Sequence, residues 1–380
     1  MSTKHEKLKL YFIAGEASGD LHGSNLMKAL RTEDPEIDFR FWGGDLMQEV
    51  AGKPVKHIQE LAFMGFTEVL MNLGTILTNI KNCKADILAY QPDALVLIDY
   101  PGFNLRIAEW AKKQGIKVYY YISPQVWAWK QSRVHKIKAT VDHLFVILPF
   151  ETAFYAKFNF PVEYVGHPLL DAIESYREHT FSPETFRSQW KLGEKPVIAV
   201  LPGSRKQEVR VKLPIMLDAL AGLEDKYEII VAGAPALDPA FYAPMLEGHK
   251  AHLIQGATYD ILSSAEAAVV TSGTATLETA LLNVPEVVCY KASSISYHIA
   301  KRLIRIKFIS LVNLIMDREV VRELIQHECN PQLIREELGL VLAGGENRER
   351  MLKDYAALRE ILGGGGASQK VAQSLLKTIR

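Results

Sequence analysis

Two turn-rich segments in the second half of the chain carry residue types that bind anions. One is Leu201-Pro-Gly-Ser-Arg205, which follows an apolar run; the other is Thr271-Ser-Gly-Thr-Ala-Thr-Leu-Glu278, which follows Ala267-Ala-Val-Val270. Each reads as a strand that ends in small residues and turns into a helix, leaving backbone N–H groups free for an anion. In the first, Gly203 lets a phosphate approach the backbone, Ser204 offers a hydroxyl, and Arg205 presents a planar fork of donors. Glu208, one turn on, either orients Arg205 or simply favours the helix start. In the second, Ser272, Gly273, Thr274 and Thr276 supply hydroxyls and amides, and Glu278 is spaced to accept two ribose hydroxyls. The structural alternatives are an ordinary strand–turn–helix junction and a Ser/Thr cap on a buried helix. Two such sites in one half-chain suggest a diphosphate-bearing ligand held between strand ends.

The first half carries a different chemistry. Asp99 directly follows the apolar run at residues 95–98 and precedes Tyr100-Pro101-Gly102. A carboxylate at a strand end is a candidate general base, worth about 10²–10⁴-fold in rate; the alternative is an Asx turn supporting the Pro-Gly bend. Ala14-Gly-Glu-Ala-Ser-Gly-Asp20 closes the first strand without the G-x-G-x-x-G spacing or a P-loop lysine. It suits a cradle for a sugar or acceptor phosphate, with Glu16, Ser18, Asp20 and His22 as its polar members; for His22 a buried histidine with a backbone partner is the competing reading. Gln125, Trp127 and Trp129, in Ser123-Pro-Gln-Val-Trp-Ala-Trp129, either line a sugar or acyl site or pack the domain. Residues 61–80 hold a single ionic group, Glu68, among apolar residues that include Met64. That stretch is either a membrane-surface or acyl-binding segment or a buried helix. Lys301, Arg302, Arg305 and Lys307 suit an anionic lipid or a phosphate, or form a solvated face. No D-x-D pair is present to hold a metal against a diphosphate, so no metal or other cofactor is expected.

These residues need a scaffold that brings strand ends together. Apolar runs at 8–14, 94–98, 117–122 and 143–148 alternate with helical patterns, including one at 104–113 with Asn104 as its cap. The alternation restarts at 197–201 and continues through 228–232, 252–254, 267–270 and 286–289. This βαβα order predicts parallel sheets covered on both faces. At 380 residues, two domains are expected: an acceptor domain at 1–180, a nucleotide-sugar domain at 181–345, and C-terminal helices at 346–380. The boundary is placed in the polar stretch 171–194, and everything from Glu319 onward reads as consecutive helices. The tail either packs back on the first domain or swaps into a second copy as a homodimer. Lys+Arg and Asp+Glu balance at 44 each, so no overall field recruits nucleic acid. Three cysteines without metal-ligand spacing fit reduced thiols in the cytosol. The polar N-terminus is unlike a secretory signal, and no stretch of about 20 apolar residues suits a membrane span.

Six segments in order, AGEASGDLHG at 14–23, LAFMGFTEV at 61–69, SPQVWAW at 123–129, VGHP at 165–168, LPGSR at 201–205 and TSGTATLE at 271–278, together resemble the lipid-A-disaccharide synthase family. The similarity runs from about Leu8 to Pro331. It implies a GT-B fold: two doubly wound Rossmann-like domains facing a central cleft. It implies transfer from UDP-2,3-diacylglucosamine to 2,3-diacylglucosamine 1-phosphate (lipid X), giving a β-1,6 disaccharide phosphate and UDP without a metal. The setting it implies is cytoplasmic, peripheral on the inner face of the inner membrane. By position, Asp99 matches the family's essential aspartate, Arg205 its essential arginine and Asn313 a functional asparagine; Glu16 and Asp20 match its first loop. Gly102 stands where the family often has aspartate, and Val312 where proline commonly precedes the asparagine. Two other classes remain open at this point: a UDP-N-acetylglucosamine 2-epimerase-like enzyme, and a catalytically silent nucleotide-sugar-binding or membrane-scaffold protein.

Overall fold

The computed structural model describes residues 7–61, 73–129, 131–178, 181–292 and 306–379. Most of the apolar 61–80 stretch, Met64 included, and the basic residues 301, 302 and 305 lie outside them, as does the side chain of Trp129.

Two compact units divide the chain: Met1–Pro168 with Gly364–Arg380, and Leu169–Gly363. The first is built on a parallel sheet of β1 (Lys9–Ala14), β2 (Asp38–Gly43), β3 (Lys56–His57), β4 (Ala94–Ile98), β5 (Lys117–Tyr121), β6 (His143–Val146) and β7 (Glu163–Tyr164), in the order β3-β2-β1-β4-β5-β6-β7. The second has β8 (Val197–Leu201), β9 (Glu228–Gly233), β10 (Ala251–Gln255), β11 (Ala265–Thr271), β12 (Glu286–Tyr290) and β13 (Arg322–Ile325), in the order β10-β9-β8-β11-β12-β13. All described pairings are parallel. Crossover helices cover the faces, which is why β4 (ALVLI) and β8 (VIAVL) are apolar at every position and buried throughout. Both sheets are doubly wound, the architecture that the βαβα alternation predicts.

The first core joins Leu10, Phe12, Phe41, Val96 and Tyr121 of the sheet to Leu26 and Leu30 of the helix Ala17–Glu33 and to Val371, Ala372 and Leu375 of the helix Ala367–Ile379. That last helix packs back on its own chain. The Ser374 hydroxyl donates to Glu163 at 2.6 Å, and the Tyr119 and Thr378 hydroxyls lie 2.9 Å apart. The second core stacks Val197, Ala199, Ile230, Ala268 and Val270 against Ile261 and Leu262.

Four features differ from the sequence expectations. The division falls at Pro168 rather than near 181, because the helix Pro168–Glu178 is bound into the second unit: the Tyr176 hydroxyl reaches Asp260 at 2.8 Å and Ser263 at 3.1 Å. The helix Arg348–Leu362 also stays in the second unit, so only the helix after Gly363 returns to the first. The region after Glu319 is not all helical, since it contains the edge strand β13. Four residues with two charges carry almost no strand signal, and pairing with β12 (Val288 with Glu323, Cys289 with Leu324) decides the matter. Asn104 is not a cap either; the helix starts earlier, as Pro101–Lys113, with Pro101 supplying a pre-set first turn. Among the described residues no helix is long and apolar enough to cross a membrane.

Leu375 is fully buried in the first core. Leu375→Ala should therefore cost about 2–5 kcal/mol, read as a lower urea midpoint. An unchanged midpoint would mean that the C-terminal helix is not integral to the first unit.

Candidate active site

In open parallel sheets, ligands sit beyond the strand C-termini where the strand order reverses. The first sheet reverses between β1 and β4 and the second between β8 and β11. The residues singled out from the sequence leave these four strands: Gly15 and Glu16 after β1, Asp99 after β4, Gly203–Arg205 after β8, and Ser272–Thr274 after β11. Paired registers (Ala14 with Ile98, Leu201 with Val270) bring the loops of each unit side by side.

In the first unit the chain leaves β4 through two left-handed residues that are not glycine, Asp99 (φ 42°) and Tyr100 (φ 49°); Ile122, after β5, has φ 67°. Such conformations cost about 1–3 kcal/mol each and persist only where the surroundings over-determine them. Here the Asp99 carbonyl accepts from Tyr120 OH at 2.6 Å and Asn104 Nδ2 at 2.8 Å, while the Asp99 N–H donates to the Tyr121 carbonyl at 3.1 Å. The Tyr100 ring lies against Gly15, where any Cβ would collide with it, and stacks on Phe103 at 5.5 Å. Glycine at 15 is thus required by the ring above it. Burial, then the charge of nearby Glu16, pushes the Asp99 carboxyl up to about 6; the Tyr100 N–H opposes the shift. A half-buried carboxyl at a strand end, titrating near neutrality, has the position and the acidity of a general base.

Its neighbours have other tasks. Asp20 is buried, and its carboxylate accepts from the backbone N–H groups of Gly44 (2.7 Å), Met47 (3.1 Å) and Leu46 (3.0 Å). It caps the helix Asp45–Ala51 and ties it to the helix Ala17–Glu33. Both oxygens are spent there, which argues against the catalytic role expected from the sequence. Glu16 precedes the helix Ala17–Glu33 in extended conformation and makes no capping bond, so its carboxylate stays available; Ser18 is exposed. His22 has a buried Nδ1 with no hydrogen-bond partner among the described residues, and burial lowers it to about 4. His167 is lowered to about 3 by burial and by His22. Burial thus favours the neutral imidazole at both positions at pH 7. Gln125 is exposed, whereas Trp127 is buried edge-on to Phe150 at 5.0 Å, the packing alternative.

In the second unit the helix Lys206–Leu220 begins directly after the first anion loop. Its first intrahelical acceptor is the Arg205 carbonyl, bonded by the Val209 N–H at 3.0 Å, so the amides of Lys206, Gln207 and Glu208 face outward. Gly203 has φ 110°, and a Cβ there would meet Glu208 Oε2 at 2.5 Å. Ser204 and Arg205 are exposed beside it, with Arg205 3.8 Å from Glu208. The second loop divides its work. Gly273 and Thr274 are exposed, but the Thr276 hydroxyl closes on the Gly273 carbonyl at 2.8 Å and the Ser272 hydroxyl donates to the Ile309 carbonyl at 3.2 Å. These two hydroxyls shape the loop instead of meeting a ligand. Glu278 accepts from Tyr259 OH at 3.0 Å on one oxygen, and burial raises its pKa.

Asn313 is fully buried and its amide is saturated. Nδ2 donates to the Val321 carbonyl (2.8 Å) and Glu323 (2.9 Å), and Oδ1 accepts from the N–H groups of Val320 (2.7 Å) and Val321 (3.0 Å). Glu323 in turn accepts from the N–H groups of Ile309 and Ser310. Asn313 therefore holds the segment on which Ser272 leans, and acts on the anion loop through it. Sequence reasoning missed Glu323, Tyr259 and Lys212. Lys212 alone had a readable signal, its helical spacing from Arg205 and Glu208. Asn313→Ala leaves buried partners unpaired and should cost about 1–3 kcal/mol, seen as a lower melting temperature; lost activity with unchanged melting would instead put Asn313 in contact with substrate.

This arrangement matches known proteins along its whole length. The profile of the lipid-A-disaccharide synthetase family matches residues 10–377. A lipid-A-disaccharide synthase from Trichlorobacter lovleyi is 38% identical over 376 residues, covering 98% of this chain and 97% of that one. One from Syntrophus aciditrophicus is 40% identical over 374 residues, covering 97% of each. In fold, the chain is similar to a UDP-GlcNAc 2-epimerase from Neisseria meningitidis solved with UDP-GlcNAc bound (TM-score 0.69, 14% identity, 97% of this chain and 100% of that one). A kitacinnamycin glycosyltransferase is also similar (TM-score 0.65, 12% identity, 98% and 100%). At such identities these two establish the GT-B fold alone, whereas the full-length match at about 38–40% settles kinship: the chain belongs to the lipid-A-disaccharide synthase family of glycosyltransferases.

Proposed function

We propose that this enzyme transfers 2,3-diacylglucosamine from its UDP conjugate to the 6-hydroxyl of 2,3-diacylglucosamine 1-phosphate, with inversion at the anomeric carbon. The second unit grips the nucleotide. The amides after Arg205, the Arg205 guanidinium and the Gly273–Thr274 turn take the diphosphate, and the free oxygen of Glu278 takes the ribose. The first unit receives the acceptor at the Gly15–Ser18 loop, with Asp99 as base. Asp99 takes the proton of the 6-hydroxyl, the oxygen forms its bond to C1, and the C1–phosphate bond breaks with its electron pair leaving on UDP. The carrying observation is Asp99, a carboxyl of raised pKa held at the sheet reversal by a strained turn. Full-length family membership supports the choice of substrates. The 2-epimerase reading rests on fold likeness alone.

We place the protein on the cytoplasmic face of the inner membrane as a peripheral enzyme. A cavity of about 500 Å³ in the first unit supports this reading: Ile76, Leu77, Ile80 and Trp110 are its apolar residues, and Lys84, Arg106 and Lys113 outnumber its one acidic residue, Glu109, which pairs with Lys113. Leu77 is 62% exposed. Acyl chains meet the apolar residues and anionic headgroups the cations. Leu77→Asp should reduce co-sedimentation with anionic phospholipid vesicles, and undiminished sedimentation would remove this face from the contact.

Purified protein given both lipid substrates in the presence of EDTA should release UDP and form disaccharide. UDP-GlcNAc alone should yield no epimer; an epimer would replace the transferase reading. Because the base must be deprotonated, kcat/KM should climb as pH rises through about 6, the pKa given to Asp99 by its burial, and level off above it. Glu16→Gln removes one cause of the raised pKa and should move the inflection to lower pH. Asp99→Asn should abolish turnover while UDP still binds; equal loss of both would reduce Asp99 to a structural role.

A further inference from the structure

Lys212 lies two turns into the helix Lys206–Leu220, and its side chain is only 3% exposed. A lysine so buried is uncommon unless it is paired. Its ammonium makes no hydrogen bond among the described residues; its nearest anion is Glu208, at 3.9 Å. Glu208 has a second cation on its other side, Arg205, at 3.8 Å. Both separations exceed those of a hydrogen-bonded ion pair. One carboxylate is therefore shared loosely between an exposed guanidinium and a buried ammonium, directly under the Gly203 turn.

That sharing solves a problem the anion loop creates for itself. A diphosphate at Gly203–Arg205 would sit close to the Glu208 carboxylate, which by itself repels it. Arg205 cannot neutralise Glu208 and the phosphate equally well. We propose that Lys212 is a positioning residue, the fixed counter-cation of Glu208: when Arg205 turns to the diphosphate, Glu208 closes on Lys212 and ceases to oppose the ligand. Burial lowers the pKa of the buried ammonium, and Glu208 works in the opposite direction. Cys289 and Cys329 are buried thiols near it whose weaker influence has the same sign as that of Glu208, whereas Arg205 acts weakly in the direction of burial.

The inference rests on reading the Gly203–Arg205 loop as the diphosphate site. Its test is calorimetric titration of the full-length chain with UDP and, separately, with uridine, which has no phosphate. Lys212→Met should weaken UDP about tenfold or more, each tenfold being about 1.4 kcal/mol, and leave uridine affinity unchanged. The double variant Glu208→Gln with Lys212→Met removes both charges and should bind UDP to within about threefold of Glu208→Gln alone, a margin below one tenfold step. The double variant also decides the matter if Lys212→Met fails to fold. Wild-type affinity in Lys212→Met, or a double variant that folds and binds UDP more than about threefold more weakly than Glu208→Gln, overturns the counter-cation role while the UDP site stands. Wild-type protein that does not bind UDP overturns both.

Discussion

The turn at Asp99 and Tyr100 is the constraint on which the strand-end loops of the first unit depend. Two consecutive left-handed residues without glycine are unfavourable in isolation, and the fold spends three hydrogen bonds around Asp99 to keep them. Asn104 is the centre of that arrangement. Its amide reaches the carbonyls of Ile98 and Asp99, and more distantly that of Ile13, so it joins the ends of β4 and β1. The ring of Tyr100 then fills the space that Gly15 leaves open. Because these contacts run between adjacent strand ends, moving one strand end would move the Asp99 carboxyl. The Asp99 carboxyl is held half-buried beside Glu16 rather than turned into solvent, and its raised pKa is a direct consequence.

The strand-end loops of the second unit are organised by a different rule. Several polar groups that look like ligand-binding residues are already satisfied within the protein: Ser272, Thr276 and Asn313 each have hydrogen-bond partners that fix backbone. What is left exposed is mostly main chain at Gly273 and Thr274, together with Ser204 and Arg205. An anion held by amides demands that the backbone be rigid, since each donor is aimed only as well as its peptide plane. The chain from Glu323 through Asn313 and the 309–310 segment to Ser272 supplies that rigidity from a strand at the sheet edge.

Sequence alone revealed the architecture where burial on two faces left no choice of residue. The runs at Ala94–Ile98 and Val197–Leu201 are apolar because helices cover both sides. Strand ends marked by small residues were equally readable, which located the loops at Gly15, Gly203 and Gly273. Legibility failed where tertiary contacts override local preference. The strand β13 holds Arg322 and Glu323, and it is a strand only because β12 offers an open edge. Asn104 resembles a cap in sequence, yet the left-handed turn before Pro101 starts the helix sooner and frees its amide to join two strands. Asp20 resembles a catalytic carboxylate because its three backbone donors come from residues 44–47, which no local pattern connects to it.

The distant C-terminus reaches the loop after β1 through the same kind of long-range contact. The helix Ala367–Ile379 packs along the helix Ala17–Glu33, whose first turn carries Ser18 and Asp20 and follows Glu16. Gln373 fastens the far end of that helix by donating to Glu33 at 3.0 Å. Helix Ala17–Glu33 is thus held at its N-terminal end by the Asp20 cap on Asp45–Ala51 and along its length by the returning tail. A single apolar face suffices for this docking, so the tail is constrained in pattern more than in residue identity. That explains how a segment without recognisable motifs falls inside the family match, which ends at residue 377. The Gly15–Ser18 loop therefore opens into a helix that the C-terminal helix buttresses, so the two ends of the chain share one core.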